Sequence, residues 1–503
     1  MSEMKLLELS AKKLKRLSDK KKIICFGAGE GLSQIFTAFS DLHIEKNIIC
    51  ILDNDKKKWG NYRLVNGRKI EIKNPDLLKN SNITKYIILI TMFRYEEVFE
   101  QIQSYTKNAD IMCVKIIQHR TQTALWFERL AKRLPLKQSI VLQGEGDSCE
   151  NAVAFARALL DSDAGKKYKL YWLCNHPEIF TSNKREIYIF RNANLSKVPL
   201  LEQIKYINAV NRSRYLIFDN QEIAKRRDNQ ISIYLNHGSP PLKATKGKIV
   251  LPKDLNYAVC PSEGCADIIS QQYSVNKKRL IYCGSPRTDV LFDAAIRQEI
   301  SAFVDRNKYE RVILWVPTFR QHYRNGRVDS EKIYKSGMPV IEEAEDWNRL
   351  VKALEKNNTL LIIKPHLLQD LTKLKIPENN SIIFITQREL NEKRVNVYDL
   401  MKACDAMITD YSTIAFDFML LDRSIGYTVD DMEDYTIGFS VENPFEYMPG
   451  TKINCVDDYI GFIQDIHVRT DSFRDERHRV NKMIHGDFMD GNNAKRLIEL
   501  LRL

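Results

Sequence analysis

The sequence predicts an α/β protein made of parallel sheets with helices on both faces. Three observations carry that class. Apolar runs of strand length recur between helical stretches along the whole chain, the texture of strands buried on both faces. The first of them, IICF, runs into a glycine cluster, then a helix, then a second strand ending in an acid, the order of a Rossmann unit. Two later stretches, about 139–300 and 305–495, repeat the alternation, which predicts a cleft between them at the carboxyl ends of strands.

Size and composition agree with that class. The 503 residues leave room for roughly three domains. Apolar residues are 44% and charged residues 28%, with 20 Gly and 15 Pro, a balance that excludes disordered and collagenous chains. Ten cysteines are scattered without a CxxC pair and without a secretory leader. Neither a disulfide framework nor a thiolate zinc site is expected, and a reducing cytosol is. No run of 18 apolar residues occurs, so no bilayer span is predicted, while attachment to a membrane surface stays open. The formal charge of +12 favours polyanionic partners: nucleic acid, anionic lipid or a phosphate-rich substrate.

Taken in order, a basic amphipathic helix over 4–22 leads into IICFGAGEG. Gly27, Gly29 and Gly31 follow the strand, and IICILDND delivers Asp53. Glycines permit a diphosphate to approach a helix start, and the acid is placed for a ribose. A tight structural turn uses glycine equally well, so nucleotide binding and a purely structural role both stand. Strands at 85–91 and 112–117 with the helix between them complete a small Rossmann-like domain over 1–120. A linker helix over 121–138 carries Leu125, Trp126, Phe127, Leu130 and Leu134 among cations. Its apolar face fits either a domain core or phospholipid. The second block, 139–304, starts with SIVLQGE, and the third, 305–503, with RVILWVPTFR.

The polar motifs sit where strands end. NHGSPPLK places His237, Gly238 and Lys243 past a strand, and an imidazole there can take a proton from an alcohol near neutral pH. CGSPRTDVL contains Arg287, able to clamp a phosphate or to pair with Asp289. VPTFR adds Thr318 and Arg320, and IIKPH adds Lys364 and His366. Cations and imidazole converging on a cleft suit a diphosphate. MITDYSTIAFDF ends a strand at Asp410 and opens a helix at Ser412 and Thr413, where hydroxyls and free N–H groups can hold phosphate. Metal-ligand spacings and nucleic-acid modules are not recognisable, and neither a metal nor a nucleic-acid partner is expected.

These ordered motifs, with the late DGNNAKRLIEL, resemble the CDP-glycerol glycerophosphotransferase family of teichoic-acid and capsule polymer synthesis over about 139–500. The resemblance implies a GT-B architecture of two Rossmann-like domains, an acceptor side at 139–304 and a CDP-donor side at 305–503. It implies work at the cytoplasmic face of the cell membrane on a lipid-linked or glycan acceptor, with CDP-glycerol as donor substrate and no required cofactor. His237 then corresponds to the catalytic base. Arg320, Lys364, His366, Asp410, Ser412 and Thr413 correspond to donor-binding positions, with Gly238, Lys243 and Thr318 beside them and Arg287 and Asp289 near the reacting atoms. Asn236 and Leu367 stand where the family often has Trp and Pro. The N-terminal GAGEG domain lies outside the family core and is similar to short nucleotide-binding domains attached to some surface-polysaccharide enzymes. The implied reaction is attack of an acceptor hydroxyl on the β-phosphorus of CDP-glycerol, with CMP leaving. CDP-ribitol or another polyol or sugar-phosphate donor, an ordinary GT-B glycosyltransferase, and an inactive membrane-bound scaffold are the alternatives.

Overall fold

The computed structural model describes the chain apart from residues 1–5, 10, 39–41, 80–85, 92–94, 106–111, 117–121, 144–149, 192–197, 221–222, 239, 241, 246–250, 323–326, 367–368 and 394. Leu367 and the first position of the predicted linker helix therefore lie outside the described residues. The chain falls into two compact units, one of residues 1–129 with 192–207 and one of 130–191 with 208–503.

The first unit holds a seven-stranded sheet in the order Leu6–Leu9, Met112–Ile116, Tyr86–Ile90, Lys22–Phe26, Ile48–Leu52, Arg68–Lys73, Tyr62–Val65. Every pairing is parallel except the last, a hairpin turned at Asn66 and Gly67. Isoleucine-rich strands are buried on both sides: Ile23, Cys25 and Leu89 face one cluster, Ile24, Phe26 and Ile90 the other.

The second unit holds two sheets, of seven and six strands. One runs Glu186–Phe190, Lys169–Cys174, Lys137–Gln143, Ser213–Phe218, Ile231–Tyr234, Tyr257–Cys260, Leu280–Tyr282, and the other Ile382–Phe384, Thr359–Ile363, Arg311–Trp315, Ala406–Thr409, Ser424–Thr428, Thr451–Ile453. Both are wholly parallel. In each, the third, second and first strands lie on one side and the fourth onward on the other, so the order reverses between first and fourth. That is the doubly wound arrangement, with its crevice at the reversal.

The chain's end crosses back. Helix Asn493–Leu500 follows the third sheet in sequence, yet Leu497 and Ile498 pack with Ile140, Phe155 and Ile217 of the second sheet's core. Its apolar residues at helical spacing fill that core next to helix Asn151–Asp161.

Candidate active site

His237 sits on the loop after strand Ile231–Tyr234, exposed at the strand's carboxyl end. The loop is fixed from several sides. Asn236, before it, is buried with φ 68°, a left-handed conformation that asparagine tolerates better than a bulky residue. Its Oδ1 accepts from the Tyr273 hydroxyl at 3.1 Å. The Asn151 amide donates to Asn236 O at 2.6 Å and Leu235 O at 3.2 Å. Asparagine at 236 is thus what this loop shape asks for.

Arg287 closes the same loop from the next motif. Its Nη1 donates to the His237 carbonyl, its Nη2 meets Asp417 at 2.9 Å, and its own N–H donates to Asn151 Oδ1 at 3.0 Å. The Tyr398 hydroxyl donates to the same Asp417 oxygen at 2.7 Å. Burial works against the charge on Arg287, but Asp417 together with Tyr398 and Asp219 more than offsets it and raises the guanidinium above its ordinary value. The predicted Arg287–Asp289 pair is not what forms. Asp289 instead accepts from the N–H groups of Asn493 at 2.9 Å and Ala494 at 2.8 Å, capping the last helix. Asp289, expected in a catalytic role near the reacting atoms, thus has both oxygens accepting N–H groups at a helix start. Gly284, at φ 76°, serves the same seat, because a Cβ there would lie 2.2 Å from the Asn493 side chain.

The third sheet contributes the facing loops. Past strand Arg311–Trp315, Thr318 donates its hydroxyl to Asp410 Oδ2 at 2.7 Å and its N–H to the same oxygen at 2.9 Å. Asp410 ends the neighbouring strand Ala406–Thr409, so this contact bridges the reversal of strand order. Arg320 lies beneath it, 5% exposed, reaching Asp410 at 2.6 Å and Asp431 at 2.5 Å. Burial alone would push the Asp410 carboxyl up, whereas Arg320, joined by Lys243, holds it below the usual carboxylate range. Arg320, Asp410 and Asp431 form a buried brace that shapes the Thr318 turn.

Lys364 is buried past strand Thr359–Ile363, and the His366 ring lies 4.9 Å from the Phe319 ring. Ser412 and Thr413 precede the six-residue helix Ile414–Met419 and are half-buried. The two sheets meet here: a Cβ added to Gly238 would stand 2.7 Å from Thr413 Oγ1. The glycine after His237 is thus the close-approach point between loops of opposite sheets.

In the first unit, Gly27 (φ 109°) and Asp53 come together, but Asp53 is engaged by the turn itself. Its Oδ2 accepts from the Ala28 N–H at 2.8 Å, its Oδ1 from the Asp55 N–H at 3.0 Å, and Lys58 reaches it at 3.2 Å. Gly31 packs against Thr91 O, where a Cβ would lie only 2.1 Å away, while Gly29 faces open space. Among the described residues, no three His, Cys, Asp or Glu side chains are grouped to hold a metal ion, and no helix is long and apolar enough to cross a membrane.

Sequence reasoning did not single out Asp417, Asp431, Asn151, Tyr273 or Tyr398. One signal was available: Asp417 interrupts the apolar run AFDFM, and a carboxylate at a core position implies a buried partner.

Comparison with known proteins decides what these motifs belong to. Residues 129–503 match the model of the CDP-Glycerol:Poly(glycerophosphate) glycerophosphotransferase family. The chain belongs to this family. Its relatives include the ribitol-phosphate polymerase TarL of Staphylococcus aureus, 26% identical over 260 residues, 48% of this chain and 41% of that protein. The poly(glycerol phosphate) polymerase of Staphylococcus epidermidis is 24% identical over 382 residues, 68% of this chain and 51% of that one. The chain spans about half the length of the curated relatives it matches. The solved structure of the wall teichoic acid polymerase TagF superposes with a TM-score of 0.59 at 17% identity, covering 75% of this chain and 92% of that one. The α/β, GT-B-like arrangement of two Rossmann-like sheets is therefore the fold of this family member.

Proposed function

We propose that the chain is a CDP-glycerol-type glycerophosphotransferase. In this reading residues 139–304 form the acceptor-side lobe and 305–503 the donor-side lobe, joined to a small Rossmann-like domain at 1–120 by the segment 121–138, in which the helix expected over the whole stretch is confined to Gln122–Arg133 because strand Lys137–Gln143 already begins within it. The observation that carries it is the approach of Gly238 to Thr413, which brings the His237 loop of one sheet against the Ser412–Thr413 loop of the other.

An acceptor hydroxyl attacks the β-phosphorus of the donor, its proton passes to His237, and the bond to CMP breaks with the electron pair leaving on CMP. The product is a phosphodiester. Lys364, His366, Ser412 and Thr413 hold the diphosphate and stabilise the charge that grows on the departing phosphate. Arg287 and the Arg320–Asp410 brace keep the two loops in place. His237 is exposed at a loop in which the carbonyls of Leu235, Asn236 and His237 each accept a hydrogen bond, which suits a base whose ring must reach a substrate while its backbone stays still.

The helix Gln122–Arg133 supports a peripheral site of work. Trp126 is 58% exposed and Leu130 41%, beside exposed Arg129, Lys132 and Arg133. Apolar rings flanked by cations suit the headgroup region of an anionic membrane, where a lipid-linked acceptor would be presented. Loss of sedimentation with anionic vesicles in a Trp126→Ser, Leu130→Ser double variant tests this part.

The central test offers CDP-glycerol, CDP-ribitol and common sugar nucleotides with a membrane extract, read by mass spectrometry. The expected result is CMP release with a polyol-phosphate adduct on the acceptor. The donor panel is needed because the relatives include both ribitol- and glycerol-phosphate polymerases. Consumption of a sugar nucleotide alone would sink the reading. His237→Ala is expected to abolish transfer while CDP still binds.

A further inference from the structure

The segment that carries His237 does not stay with its own sheet. Six residues on, Lys243 forms an antiparallel bridge with Phe439, which belongs to the loops of the third sheet. The Ala244 N–H donates to Gly438 O at 3.0 Å and the Ser440 N–H to Leu242 O at 2.8 Å. The Lys243 ammonium then reaches Thr318 Oγ1 at 3.0 Å and lies 5.7 Å from the centre of the Tyr435 ring. Tyr435 stacks on Phe439 at 5.5 Å and leans on Tyr411 at 4.6 Å.

The Thr318 hydroxyl is fully committed in this arrangement. It gives its one proton to Asp410 and accepts from Lys243 and from Arg320 Nη1 at 2.7 Å. A hydroxyl has one donor and two acceptor sites, so the direction of every bond follows. Each of the three charges leans on this hydroxyl, and Arg320 and Asp410 are themselves held by Asp431 and the Thr318 backbone. Displacing Lys243 therefore disturbs the turn past strand Arg311–Trp315, and displacing that turn disturbs the segment leading back to His237.

We propose that Lys243 is a positioning residue that fastens the His237 segment to the Thr318 turn, so that the proton acceptor and the donor-holding loop keep one registry across the cleft. The inference rests on the transfer reaction proposed above. It differs from direct contact with the substrate, which the resemblance implied for Lys243, because the ammonium is directed into the protein's own hydroxyl–carboxylate pair.

The test uses the full chain with Lys243→Met, Lys243→Arg, Thr318→Val and the Lys243→Met/Thr318→Val pair. Lys243→Met is expected to lower kcat by about 100-fold, the scale of a loss of registry in a reacting pair, with KM for donor and calorimetric CDP affinity within about twofold. Lys243→Arg restores most of the rate. The double variant is no slower than the worse single one, since both break the same link. Independently of turnover, hydrogen exchange at the Ser440 amide quickens about tenfold in Lys243→Met, as expected when a local opening becomes easier. If Lys243→Met does not fold, Lys243→Gln is read in the same assays. A fall in CDP affinity, additive losses in the double variant, or unchanged Ser440 exchange would each overturn the proposal. Absence of turnover in the parent protein with every CDP-polyol would instead remove the transfer reading, leaving the exchange measurement to judge the fastening alone.

Discussion

Two turns in this molecule are built on the same plan and come to different ends. In the first unit, Asp53 at a strand end accepts the Ala28 N–H of the neighbouring glycine turn. In the second unit, Asp410 at a strand end accepts the Thr318 N–H of the turn beside it. Both acids fix the loop that follows a neighbouring parallel strand. Asp53 is balanced by Lys58, whose side chain is 42% exposed. Asp410 is completely buried and is balanced by an equally buried arginine that itself needs Asp431. A carboxylate at a strand end is therefore no mark of a ligand site. What separates the two turns is the company: only Asp410 supports a hydroxyl that a second sheet's lysine also grips.

The comparison can be tested in order of effect. Asp410→Ala leaves Arg320 buried with one carboxylate in place of two. A loss of about 3–5 kcal/mol is expected in urea unfolding of that unit. Asp53→Ala orphans a buried N–H next to a half-exposed lysine, and about 1–3 kcal/mol is expected. Equal losses for the two would show that the buried brace adds nothing beyond a turn bond.

Asp289 supplies a third case, a helix cap within the site motif. Burial pushes its carboxyl up to about 6, with the Ala494 and Asn493 N–H groups pulling the other way. A carboxyl that keeps its proton longer when folded adds most stability below its unfolded value of about 4. That contribution is lost as the pH rises through about 6. Between pH 4 and 6.5 the parent protein should lose on the order of 2 kcal/mol relative to Asp289→Asn, from the two-unit displacement. Parallel stability curves for the two proteins would refute this.

The smallest contrast lies within the glycine turn. Gly31→Ala drives a Cβ into Thr91 O and is expected to cost about 1–3 kcal/mol through backbone displacement. Gly29→Ala meets nothing and should stay within about 0.5 kcal/mol. If Gly29→Ala weakens binding of a nucleotide while stability holds, this turn has a ligand after all.

The class of fold was legible because its signal is local. Isoleucine-rich strands, intervening helices and polar strand ends appear in order along the chain, and parallel sheets buried on both faces allow few other arrangements. The motif residues were legible for the same reason: His237, Thr318, Lys364, His366, Ser412 and Thr413 all follow strands, where α/β crevices form. Their division of labour was not. Arg320 and Lys364 look alike as cations after strands, yet Arg320 meets two acids that lie 90 and 111 residues away in the chain. Asp289 looks like a partner for Arg287 two residues before it, yet the last helix returns from 204 residues downstream to claim it. A side chain's charge can be read from its letter. Whether that charge faces a substrate or another side chain depends on which distant segments are buried against it, and burial is a property of the packed chain rather than of any stretch of it.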